Sequence, residues 1–301
     1  MHKYTVGWII VAILLLGTGI YMAQNSSPQE PESSDTTSPI IQSHRSYVLR
    51  SDINQKYQPN TPTSYVFSIV DEQGNTIKDF ATVHEKIMHV IVVRKDLEEF
   101  QHVHPDFNTT TGEFTLSNLV FPFGGPYRIF ADFTPAGTQM GPDGMPLGVT
   151  LNEDVVVGNI ANYKPKQLAI TDSTQTVEGY QVKMSTNTNP IADEETTMVS
   201  YEITKDGKPV TNLETYLGAL GHSVVLSEND LEFIHAHALN EDVKKQNGTV
   251  DFHVTFPKAG NYKMFTQFQH EGKVMTVSYV VNALPAQATN GIVPGMDHSM
   301  H

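Results

Sequence analysis

A stretch of seventeen residues occurs twice in the chain. HVIVVRKDLEEFQHVHP begins at His89, and HSVVLSENDLEFIHAHA begins at His222, 133 residues later. Six of the seventeen positions are identical: His89/His222, Val92/Val225, Glu99/Glu232, Phe100/Phe233, His102/His235 and His104/His237. The likeness resumes at an offset of 135, where FPFGGPYRIFADF (Phe121–Phe133) matches FPKAGNYKMFTQF (Phe256–Phe268). A two-residue difference in the intervening turn region accounts for the shift. Upstream, SYVFSIVDEQGNTI and MVSYEITKDGKPV both read as strand, glycine-containing turn, strand. A chain duplicated in this way has to build one supersecondary unit twice. Each copy is a succession of short runs rich in Val, Ile, Phe, Tyr and Thr, punctuated by Gly, Pro, Asn and Asp, with no convincing long amphipathic helix. About seven such runs per copy predict an antiparallel β-sandwich. The expectation is therefore an all-β body of two tandem sandwiches, residues 46–162 and 163–283.

The flanks differ from the body. Val6–Ala23 is an uncharged run of 18 residues, long enough as a helix to span about 27 Å, close to the roughly 30 Å hydrocarbon core. Lys3 precedes it, and the next basic residue is Arg45, after Glu30, Glu32 and Asp35. The positive-inside rule then places the N-terminus in the cytoplasm and the bulk outside. Residues 1–23 thus read as a single-pass transmembrane signal-anchor at the cell membrane, with the body periplasmic or at the cell surface. A cleaved signal peptide is the competing reading, although bulky Tyr21 fits the small-x-small cleavage pattern poorly. Residues 24–45, rich in Ser, Pro, Gln and Glu, read as a disordered linker, and residues 284–301 as a flexible tail.

Composition removes several chemistries. There is no cysteine among 301 residues, which excludes disulfide scaffolds, thiolate metal sites, cysteine nucleophiles and a lipoprotein anchor. Acidic residues outnumber basic ones 33 to 19, a net charge of −14, which disfavours nucleic-acid binding. The available nitrogen and sulfur ligands are 13 histidines and 11 methionines. No HExxH or GxSxG pattern is present, so no enzyme is expected, although a three-histidine zinc site that activates water is a rival class.

The histidines carry the functional signal. His102-x-His104 and His235-x-His237 lie in strand-like runs, where residues two apart share a face with Cα atoms about 6.7 Å apart. Two imidazoles can then converge on one ion. His89 and His222 offer a third ligand from the preceding strand, subject to register. If residues 95–99 form a simple five-residue loop, Arg94 pairs with Phe100 and His89 points to the opposite face. A connection one residue longer or shorter, or a bulge, brings it into the site. His84 and Met88 are further local candidates. His270 could complete a four-histidine group with His222, His235 and His237. His253 reads as an exposed strand residue and Met264 as core. Strand histidines copied by duplication can also be plain polar surface.

The tail, Gly295-Met296-Asp297-His298-Ser299-Met300-His301, adds Met296, His298 and Met300 as candidate ligands. Thioether favours Cu(I), whereas imidazole suits Cu(II), Zn(II) and Ni(II). The tail resembles the Met-Asp-His-Ser-x-Met repeats of bacterial periplasmic copper-resistance proteins. The Phe-x-His-x-His and Gly-x-Tyr-x-x-Phe strands resemble extracytoplasmic cupredoxin-like or copper-resistance β-sandwich modules; an immunoglobulin-like sandwich shares the second motif. The resemblance implies copper binding for sequestration or transfer in the cell envelope, with zinc as a second candidate and a protein that donates or accepts the metal as partner. It does not imply a blue-copper centre, which needs a cysteine ligand. The alternative reading is a surface adhesion or interaction protein with no metal role.

Overall fold

A computed structural model describes residues 46–52, 54–141, 146–239 and 246–286, with the side chains of Asn162, His235 and His237 excepted. The predicted anchor, linker and Met/His tail, with Met296, His298 and Met300, lie outside the described residues. Among the described residues, no helix is long and apolar enough to cross a membrane.

The body is all-β. The first repeat contains β1 (Val48–Ser51), β2 (Thr63–Val70), β3 (Phe80–Ala81), β4 (His89–Arg94) and β5 (Phe100–Val103). It continues with β6 (Asp106–Asn108), β7 (Glu113–Leu119), β8 (Gly125–Pro135) and β9 (Val149–Val157). The second contains β10 (Thr174–Val177), β11 (Tyr180–Thr186), β12 (Ile191–Ala192), β13 (Thr196–Lys205) and β14 (Lys208–Pro209). Then follow β15 (His222–Ser227), β16 (Phe233–His237), β17 (Thr249–Thr255), β18 (Gly260–His270) and β19 (Lys273–Leu284).

Each repeat is a sandwich of two sheets. In the first, β1-β2-β7-β6 faces β3-β8-β4-β5, with β9 beside β8. In the second, β10-β11-β13-β14, with β17 beside β13, faces β12-β19-β18-β15-β16. The cores follow from alternation: Tyr65, Phe67 and Ile69 of β2 meet Val90 and Val92 of β4 and Tyr127, Ile129 and Ala131 of β8. Val199, Tyr201 and Ile203 of β13 likewise meet Val225, Met264 and Phe268. Met264 is core, as expected, and so is Met88, 1% exposed, which corrects its candidacy as a ligand. The Gly-x-Tyr motif has a local cause. Gly125 (φ 139°) and Gly260 (φ 147°) start β8 and β18 in a region that disfavours side chains. Two residues on, Tyr127 and Tyr262 each donate a hydroxyl hydrogen bond to the carbonyl four residues back, at Phe123 (2.9 Å) and Lys258 (2.7 Å).

A third apolar cluster joins the repeats. Ile91, Val93, Leu97 and Phe130 pack with Val224, Leu226, Leu231 and Phe265, flanked by Phe100, Leu168 and Phe233. β4 and β15 are therefore buried on both faces, one toward their own core and one toward the other repeat. Phe100 stacks on Phe265 (centroids 4.2 Å, 7° between planes), and Phe233 meets Phe130 (5.3 Å, 40°). The roles are exchanged: the β5 phenylalanine of one repeat touches the β8-type phenylalanine of the other, in both directions. This is the signature of an approximate two-fold axis between the copies.

Candidate metal centre

The connection after β4 settles the register. Val93 pairs with Phe100 and Ile91 with His102, so six residues, Arg94–Glu99, link the strands rather than five. The turn closes through the Arg94 amide on the Glu99 carbonyl (3.0 Å), with Leu97 at φ 61° and 1% exposed in the inter-repeat cluster. The longer connection puts His89 on the face of His102 and His104. In the second repeat Leu226 pairs with Phe233, Val224 with His235 and His222 with His237, so the backbone register is the same. The side chains of His235 and His237 lie outside the described residues.

The shared face points at the other repeat. His89 and His222 are 5% and 4% exposed, while His102 and His104 are half-buried. His89 Nδ1 lies 3.1 Å from His102 Nε2 and 3.1 Å from His104 Nε2. The His222 ring, from the second repeat, is 5.0 Å from that of His102 and 5.7 Å from that of His89, nearly parallel to the latter. Ligand nitrogens of His89, His102 and His222 all lie within 4.8 Å of one another, a grouping that could hold a metal ion. His84, at φ 50° in the turn before β4, sets its ring 5.6 Å from His222 and 6.2 Å from His89.

The outer nitrogens are held. His89 Nε2 donates to the Val83 carbonyl (3.1 Å), and His102 Nδ1 donates to Gln267 Oε1 (2.8 Å). Both acceptors lack a proton to give, so each ring carries its hydrogen outward and turns a lone pair toward the other ring. Tetrahedral ligands about 2.0–2.1 Å from an ion sit about 3.3 Å apart, close to the observed nitrogen spacing. Burial, with the neighbouring imidazoles and Lys86 opposing a positive charge there, pushes His104 down to about 3, so its ring is neutral near pH 7. Beside the cluster opens a cavity of about 300 Å³, lined among others by His84, His89, Asp132, Thr134, Thr150 and Phe233.

His270 does not join the group. It lies three residues beyond Gln267 on β18 and so faces the opposite side of the sheet. There the Tyr180 hydroxyl donates to its Nδ1 (2.7 Å) and its Nε2 donates to Asn212 Oδ1 (3.1 Å). Both ring nitrogens are occupied by core hydrogen bonds, which corrects the four-histidine expectation. His253 is exposed on β17. Gln267, Asp132 and the Val83 carbonyl were not foreseen. Gln267 pairs with His222 and Asp132 with His89; their signal in the sequence is one polar residue at matching positions of two apolar strands.

A family model described as Domain of unknown function (DUF8832) matches residues 46–141 and 175–284. No curated protein matches the sequence. Among solved structures, the Escherichia coli adhesin FdeC is 14% identical, over 79% of this chain and 64% of its own, with a TM-score of 0.25. Invasin, a bacterial integrin-binding protein, is 12% identical over 80% of this chain and 39% of its own, with a TM-score of 0.24. The D0-D1 domain of intimin is 11% identical over 79% of this chain and 97% of its own, with a TM-score of 0.22. This chain spans less than two thirds of the adhesin and of invasin, and TM-scores this low carry no argument about it.

Proposed function

We propose, for a chain that belongs to the DUF8832 family, a metal-binding role: capture of a transition-metal ion, copper foremost and zinc second, at the seam between its two sandwiches. The observation that supports it most is the convergence of His89 Nδ1, His102 Nε2 and His104 Nε2 at 3.1 Å, with the outer nitrogens of His89 and His102 pinned by acceptors. For His89 and His102 those acceptors leave the lone pairs of Nδ1 and Nε2 facing each other, an arrangement that a cation between them would stabilise, while His104 Nε2 is a third nitrogen beside them. An imidazole set of this kind suits Cu(II) and Zn(II), and His222 adds a donor from the second repeat. His235 and His237 belong to the proposed ligand set by sequence and backbone register.

The role is binding and transfer, with no catalytic step. The N-terminal segment would act as the membrane anchor and leave the body outside the cytoplasm. Met296, His298 and Met300 would offer a second set of copper donors for ligand exchange with a partner protein, each oxidation state passing unchanged, with imidazole holding Cu(II) and thioether Cu(I). The sandwiches would be of the cupredoxin-like or immunoglobulin-like kind.

Elemental analysis and calorimetric titration of the purified chain with Cu(II) and with Zn(II) test the reading. The expected result is a stoichiometric ion in wild type, with affinity lowered at least about tenfold in His102→Ala/His104→Ala and in His235→Ala/His237→Ala. Absence of a retained ion, or equal affinity in all variants, overturns it and returns the tandem sandwiches to a surface interaction role.

A further inference from the structure

We infer that Gln267 is a positioning residue of the centre: from the second repeat it sets the tautomer of His102 in the first, so that Nε2 is the nitrogen presented to an ion. The inference deepens the metal-binding reading and rests on it.

Gln267 lies on β18, in register with His222, and is 7% exposed. Its Nε2 donates to Thr276 Oγ1 (3.1 Å) on β19, which orients the amide. Its Oε1 is thereby turned to His102 Nδ1 at 2.8 Å. An amide oxygen only accepts, so the His102 proton resides on Nδ1 and the lone pair on Nε2, 3.1 Å from His89 Nδ1. The Val83 carbonyl does the same for His89, but as backbone it survives any substitution. Gln267 is the part of the arrangement that a substitution can remove.

The hydrogen bond also crosses the seam. The His102 ring is oriented by the second repeat, so the first repeat's pair of converging nitrogens depends on the two sheets being docked. The position 135 residues earlier is Asp132, in register with His89. The equivalent positions therefore differ, a neutral amide bonded to His102 at one and, at the other, a carboxylate that accepts from Thr150 Oγ1 (2.8 Å). A neutral acceptor fixes the ring without adding charge.

The test uses the full chain with ¹⁵N-labelled histidine, free of metal and then titrated with Zn(II), in wild type, Gln267→Leu and Gln267→Glu. Nitrogen chemical shifts should report His102 as the Nδ1–H tautomer in wild type and in Gln267→Glu, and as a mixture in Gln267→Leu. Zn(II) affinity should fall about 10–100-fold in Gln267→Leu and be largely kept in Gln267→Glu. Wild-type affinity in Gln267→Leu overturns the inference while leaving the metal reading intact. So does an equal loss in folded Gln267→Glu, which would make the residue mere packing. Failure of wild type to bind Zn(II) or Cu(II) overturns the metal reading and this inference together.

Discussion

Loading the centre should stiffen both repeats at once. The grouped donors come from each side of the seam: His89 and His102 from the first repeat, His222 from the second. Unfolding either repeat destroys the site, so an ion bound there stabilises the pair as a unit. An ion at 100 times its dissociation constant adds about 2.7 kcal/mol. For a folded body of this size, 1 kcal/mol moves the melting temperature by about 2–4 °C, so Zn(II) should raise it by about 5–10 °C. In His222→Ala one donor is lost. A tenfold weaker site at the same ion concentration leaves about 1.4 kcal/mol, roughly half the rise. Replacing a buried ring costs stability of its own, so the quantity to read is the difference between loaded and chelated protein within each variant. Calorimetric melts with excess Zn(II) and with a chelator supply it. A wild-type melt indifferent to the ion refutes the reasoning. A full rise in His222→Ala would place the ion within the first repeat alone.

Two further outcomes follow from single side chains. His104 is held at about 3 by burial and the neighbouring imidazoles, against an ordinary 6.5. Below pH 6.5 the unfolded chain gains a proton the folded one refuses, so metal-free stability is complete above that pH and falls as pH drops toward 3. The slope is at most about 1.4 kcal/mol per pH unit, less for a ring still in partial contact with water; urea unfolding that gives the same stability at pH 7.5 and 4.5 contradicts it. His270→Ala should leave ion stoichiometry and affinity unchanged but cost about 1–3 kcal/mol, since Tyr180 and Asn212 lose a buried partner; weaker ion binding in that variant would restore His270 to the ligand set.

Much of this architecture is written in the chain. Duplication, strand periodicity and the turn residues give two sandwiches, and spacing by two puts His102 with His104 on one face. The membership of His89 hinged on a single residue of loop length, which depends on Leu97 turning at positive φ into the seam. Propensity does not decide that. The seam itself left a trace in HVIVV and HSVVLS, which lack the polar alternation of a strand with one wet face. Short apolar runs of that kind read equally as ordinary core, so the face-to-face docking was missed. His270 was misplaced because its neighbours in the turn hid its parity: it shares a face with Phe268 and Met264, and Gln267 takes the other.

Joining two related sandwiches in one polypeptide frees them from the identity that a dimer of separate subunits would impose. In a true homodimer Asp132 and Gln267 would have to be the same residue, and every change would be made twice. Here the partner is always present at a concentration set by the short connection rather than by expression level. Each half can drift separately while the stacked phenylalanines keep the halves in place. The position in register with His89 is accordingly a carboxylate and the one in register with His222 a neutral amide, a difference that two identical subunits could not carry.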